Sequence, residues 1–200
     1  MRNVLRVIVL LAALLLAFVN SRPATFHVER SATIAAPGEV VFAQVGDFHN
    51  WKAWSPWEKL DPHMQVAFEG PAAGVGSAYH WTGNDKVGEG RMTILESDPG
   101  RRLAVRLDML KPWKSTNTCA FDLTPAGTGT HVTWSMDGHN NFLMKTMSVF
   151  ESMDKMVGPD YERGLANLKQ VAEAAPPPAA PAPAATDAAA AAAKPAKTTK

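Results

Sequence analysis

Cysteine is almost missing from this sequence. Cys119 stands alone among 200 residues, which excludes an internal disulfide and any cysteine-rich zinc module. A surplus of one charge is missing too. Twenty Lys and Arg face nineteen Asp and Glu, a formal net charge of +1, so the basic excess of a nucleic-acid binder is not there. There is no Gly-x-Ser-x-Gly elbow, no His-Glu-x-x-His and no phosphate-binding P-loop. Gly74-Val75-Gly76 and Gly88-Glu89-Gly90 are short glycine pairs that do not open a helix after a strand, so they read as turns or bulges rather than a dinucleotide site. The six histidines are scattered, and no two have the i, i+2 strand or i, i+4 helix spacing of metal ligands. Neither a metal nor a cofactor is expected.

What is present divides into three parts: a hydrophobic head (1–22), a globular middle (25–173) and a low-complexity tail (175–200). In the head, residues 7–19 form an unbroken apolar run of thirteen, preceded by Arg2 and Arg6. Its twelve Leu, Ile, Val and Phe residues between Val4 and Val19 favour insertion into a bilayer by roughly 4–7 kcal/mol. Arg6 sits one turn inside and can snorkel to the headgroups. A membrane anchor through residues 4–19 and a cleaved signal peptide both fit, although no Ala-x-Ala cleavage site appears. No cysteine follows the run, so a lipoprotein anchor is excluded. The basic residues belong on the cytoplasmic side, which puts the middle on the periplasmic or extracytoplasmic side of an inner membrane, or outside the cell after cleavage. The tail is nearly all Ala, Pro, Lys and Thr and holds no large apolar residue, so it cannot build a core and is expected to be disordered.

In the middle, Phe26, Val28, Arg30, Ala32 and Ile34 alternate with polar neighbours, the period of a half-buried strand. Pro37 opens a helix whose stripe is Val40, Val41, Phe42 and Val45. A Trp-rich segment follows, with Trp51, Trp54 and Trp57 three residues apart. Six strand-like stretches come next: 64–69, 77–82, 87–97, 101–110, 116–123 and 130–137. Short Gly-, Pro- and Asn-rich breaks between them imply hairpins and an antiparallel meander. The last ordered part is a long amphipathic helix, Leu143 to Val171, expected to kink or split at Gly158-Pro159. This order gives an α+β domain. A seven-stranded curved antiparallel sheet wraps around the long C-terminal helix, and two short helices follow strand 1. A sheet curved round one helix leaves a natural apolar pocket, and whether a cavity above ~300 Å³ lies there decides between a binding site and a filled core.

Residues 30–42, Arg-Ser-Ala-Thr-Ile-Ala-Ala-Pro-Gly-Glu-Val-Val-Phe, resemble the opening motif of the SRPBCC superfamily. That superfamily holds START-like, polyketide cyclase/dehydrase-like and plant-allergen-like helix-grip proteins. The segment Asp47 to Pro56 is similar to its second signature, in which a Trp pair marks the two-helix turn. Residues 81–90 and 164–169 are similar to bacterial members. The resemblance covers about residues 25–173 and implies the helix-grip fold. It also favours a real pocket over an ordinary filled core.

The candidate lining is apolar and soft: Trp57, Tyr79, Trp81, Val105, Leu107, Met109, Trp134, Met136, Met147 and Phe150. Methionine adapts to irregular hydrophobic ligands, and burying ~200 Å² of ligand would gain about 5 kcal/mol before association costs. The expected partner is a small hydrophobic molecule or lipid, bound without transformation. A polyketide cyclase-like enzyme using Asp47, Glu58 or His80 is the alternative. A cell-envelope interaction module is the third reading. The Trp51–Trp57 cluster fits a lid, a satellite core or a contact with the lipid interface. His80 alternates with Tyr79 and Trp81 and is expected to face solvent. Cys119 is expected to be a buried, inert thiol. Oligomeric state is left open.

Overall fold

The alternation that starts at Thr25 becomes β1 (Thr25–Ile34) of a seven-stranded sheet. The computed structural model describes residues 1–176; beyond Pro176 the expected tail lies outside the described residues. Ahead of β1 stands α1 (Arg2–Asn20), exposed along nearly its whole length. After β1, Pro37 starts α2 (Gly38–Val45), which buries Val40, Val41, Phe42 and Val45. Asp47 then caps a short 3-10 helix (Phe48–Ala53) by accepting the His49 N–H at 2.9 Å.

The meander follows as β2 (Gln65–Glu69), β3 (Ala78–Thr82), β4 (Glu89–Asp98), β5 (Arg102–Lys111), β6 (Ser115–Ala126) and β7 (Gly129–His139). All neighbours are antiparallel, in the order β1-β7-β6-β5-β4-β3-β2. The α+β, helix-grip arrangement expected from the sequence is therefore the fold.

The C-terminal helix departs from expectation. It is two helices, α3 (Phe142–Met147) and α4 (Met153–Ala174), and α4 runs through Pro159. A side-chain cap marks the break upstream, where Ser152 accepts the Lys155 N–H to start α4, as Asn141 accepts that of Met144 to start α3. Pro159 lies less than two turns into α4, so it removes a bond only to the carbonyl of Lys155, an exposed residue. The preceding Gly158 packs on the Arg30 guanidinium, where any Cβ would collide.

Two turns of α4 carry Tyr161, Leu165 and Leu168 into the core, each 2% exposed or less, and a buried leucine of this kind contributes about 1.5–3 kcal/mol. Tyr161 stacks on Trp134, which also stacks on Phe121 and meets Trp54 edge-on. These rings fill the space between α4 and β6–β7. Here the expectation of unfilled room is corrected: four large aromatic side chains converge on one level of the concave face and pack it solid.

Candidate functional site

Strand registers align one row of inward side chains across the whole sheet: Phe26, Gly138, Asn117, Leu107, Met92, Tyr79 and Phe68. The row deeper in the concavity, Val28, Met136, Cys119, Val105 and Ile94, is sealed, with no member more than 6% exposed. Above it, Leu107 and Met92 are only half-buried, and Met109 stands half-buried one level further out, across Gly90 from Trp81. Burial thus falls off along β4 and β5, while Tyr79 and Trp81 on β3 stay buried at 6% and 9%, so the partly open apolar stretch of the concave face, a shallow trough, lies along β4–β5 beside them.

The loop after the 3-10 helix overhangs this trough, with Trp57, Leu60 and Met64 half-buried against the core. Asp61 anchors that loop to the β3–β4 turn by accepting the His63 N–H at 2.9 Å and the Asn84 N–H at 2.7 Å. These two donors hold its carboxyl below the usual carboxylate range. Helix α4 leaves the trough open because it packs chiefly along β1. Arg30 on β1 fixes it there, with ion pairs to Asp154 at 2.7 Å and Glu162 at 2.8 Å.

Polar groups near the trough are few. Tyr79 Oη donates to Glu58 Oε1 at 2.9 Å, and burial, then the Glu58 charge, pushes the phenol well above its ordinary value. Asn117 is 8% exposed, and its Oδ1 has no protein partner. It leans over Gly138, where a Cβ would overlap both Asn117 Oδ1 and the Phe26 ring. Glycine is required there for the row to close up, and the row's one amide oxygen is left unsatisfied.

The other polar candidates are scattered. Asp47 is taken up by the His49 backbone and ring, the latter at 2.7 Å. His80 lies on the outer face, 3.3 Å from Glu69. Burial pushes the Cys119 thiol up to about 12, and its neighbour is the Tyr161 hydroxyl at 3.7 Å. Asp47, Glu58 and His80 thus each have a separate partner and form no shared site.

The sequence-derived lining residues fall into three places. Trp57, Leu107 and Met109 are half-buried at the trough, and Tyr79 and Trp81 are buried beside it. Val105, Trp134 and Met136 belong to the sealed core. Met147 and Phe150 leave the concavity because the helix breaks between Met147 and Met153, which separates them from α4. Met147 lines a cavity of about 140 Å³ with Arg22, Phe26, Met144 and Met153, and Phe150 is 88% exposed. Trp51 and Trp54 are buried, each donating its indole N–H to an α2 carbonyl, which makes them core rather than lid or lipid contact.

Met92, Asn117 and Gly138 are additions that the sequence reading missed. A polar residue in phase with Cys119 and Phe121 was the readable signal for Asn117. Gly138, in phase with Trp134 and Met136, was the signal for the gap beside it.

Residues 25–173 match the family described as polyketide cyclase / dehydrase and lipid transport. The chain belongs to this family. No curated protein matches it. Among solved structures, it is similar to a protein of Chromobacterium violaceum at 16% identity, with a TM-score of 0.54, over 76% of this chain and 98% of that one. The Aha1 protein of Colwellia psychrerythraea is similar at 19% identity and a TM-score of 0.51, over 74% and 97% of the two chains. The di-domain ARO/CYC protein StfQ of the steffimycin biosynthetic pathway is similar at 12% identity and a TM-score of 0.55, over 75% of this chain and 51% of that one. At these identities the likeness establishes the shared helix-grip fold.

Proposed function

We propose that this domain binds a small hydrophobic, lipid-like molecule in the trough of β4–β5 without transforming it, and that α1 holds it at a membrane. One observation carries the binding reading. The apolar row loses burial at Leu107 and Met92 where the sheet is still concave, and the unpartnered amide oxygen of Asn117, turned toward Gly138, stands at its β6 edge. A guest with an apolar body and one hydrogen-bond donor fits that chemistry. The family's lipid-transport description agrees with it. Tethering rests on α1: nineteen residues with a mean hydropathy of 2.3 in its best window, and a length of about 28 Å at ~1.5 Å per residue, close to a ~30 Å hydrocarbon core. Arg2 and Arg6 near its start favour a cytoplasmic N-terminus, which puts the domain on the far side.

The test is titration of full-length protein with fluorescent fatty acids, quinones and polycyclic aromatics. Saturable uptake that Leu107→Trp removes is the expected result. Uptake of none of them, or uptake indifferent to Leu107→Trp, overturns the trough.

A second reading, cyclase-like catalysis, is favoured by the Tyr79–Glu58 hydrogen bond at the trough wall. It requires product formation that both Tyr79→Phe and Glu58→Gln abolish.

A further inference from the structure

The registers put five strand ends together. Thr25 faces His139, Asn117 faces Gly138, Met109 faces Ser115, and Glu89 faces Lys111. The starts of β1, β6 and β4 and the ends of β7 and β5 therefore form one end of the sheet, and α1 leads into it through four residues, Ser21 to Ala24. That link is held. Arg22 Nη2 donates to the Ser148 carbonyl at 3.0 Å, Lys145 Nζ to the Asn20 carbonyl at 3.3 Å, and Asn140 Nδ2 to the Pro23 carbonyl at 3.1 Å.

The same end carries large apolar side chains in water. Trp113 (44% exposed) and Leu110 (41%) crown the β5–β6 hairpin; Phe142 (59%), Leu143 (40%) and Phe150 (88%) cap the α3–α4 corner. Lys86 and Lys114 are exposed beside them. The hairpin tip is two to three strands from β1, roughly 10–14 Å at ~4.8 Å per strand, so both groups lie within reach of one flat surface.

We propose that this end rests on the bilayer, with Trp113 and Phe150 in the headgroup region. Aromatic and aliphatic side chains interleaved with lysine suit the interface between lipid and water. The proposal rests on the reading of α1 as a membrane span. The occupant follows from that span: a helix leaving the bilayer at Asn20 and locked to α3 brings this end of the sheet to the lipid surface. The trough faces the same way, because its burial falls from Val105 through Leu107 to Met109, toward that end. A guest would then pass between lipid and trough without crossing bulk water.

The test uses the full chain reconstituted in vesicles of phosphatidylethanolamine and phosphatidylglycerol. Cysteines introduced as Trp113→Cys, Phe150→Cys, Val75→Cys and Leu11→Cys each carry a polarity-sensitive dye, the buried Cys119 staying unlabelled, and lipids with a nitroxide near the headgroup or deep in the acyl chain serve as quenchers. Val75 is exposed at the opposite end of the sheet. Dyes at 113 and 150 should be quenched several-fold more by the shallow nitroxide than the dye at 75, and dye at 11 by the deep one. Dyes at 113 and 150 as wet as 75, with 11 quenched, overturn the docking and leave the span standing. Dye at 11 unquenched overturns the span and the docking with it. A dye at 113 that is dry but unquenched means that a second protein copy covers the surface, which also overturns the proposal.

Discussion

The phenol ring of Tyr161 lies flat on the indole of Trp134, with ring centres 3.9 Å apart and planes 12° from parallel. This pair joins α4 to β7 within the sealed part of the concave face. Removing the ring by Tyr161→Ala should lower unfolding free energy by about 3–5 kcal/mol in urea melts. Tyr161→Phe keeps the stack, loses only the hydroxyl's contact with Cys119, and should cost less than about 1.5 kcal/mol.

Arg30 also joins α4 to the sheet, and that link depends on pH. Hydrogen bonding to the guanidinium holds the Asp154 carboxyl below its ordinary value in the folded protein. A depressed folded value means that the pair's contribution is complete above the unfolded value, near ~4, and disappears as pH falls through the folded one. Thermal midpoints of wild type and Asp154→Asn should therefore differ at pH 7 and converge in acid. A gap unchanged down to the acid limit would count against the ion pair as the clamp.

Half-burial should separate trough from core. Leu103 is fully buried, so Leu103→Ala should cost about 2–5 kcal/mol. Leu107→Trp adds volume where the wall is open, and should change stability by less than that while filling the space a ligand needs. Equal destabilisation by both, measured by denaturant unfolding, would mean that Leu107 is ordinary core.

Cys119 should be chemically silent. Its thiol is buried and pushed up to about 12, and alkylation requires thiolate. Iodoacetamide at pH 8 should leave the native protein unmodified and label it promptly in urea. Rapid labelling of native protein would show that the core opens at β6.

Much of this fold is legible in local patterns. Alternation marks β1 to the residue, and the turn-rich breaks mark every hairpin, because both are written in neighbouring side chains. The end of α3 is not: it depends on Ser152 outcompeting Gly158-Pro159 as the breaking point, and Gly158 is retained for Arg30, a residue more than a hundred positions away. The site is harder still. Leu107 and Met109 can be placed on an inward face from alternation alone, but Tyr79, Trp81, Trp134 and Met136 carry the same pattern and are buried. Only the lateral position of α4, set by Arg30 and by the Tyr161–Trp134 stack, decides which half of the face is left open. Asn117 shows the same limit. Its phase with Phe121 is visible in the chain, whereas its lack of a partner depends on Gly138 from another strand.

The solid packing at the Trp134 level limits the size of any guest. Only two levels of the concavity lie above the sealed row, about 13 Å along a strand at ~3.3 Å per residue. A fused-ring body or the end of an acyl chain fits that depth, while the rest of a longer amphiphile must protrude. Discrimination by such a half-filled cup falls on the width and rigidity of what enters, and chain length counts for little.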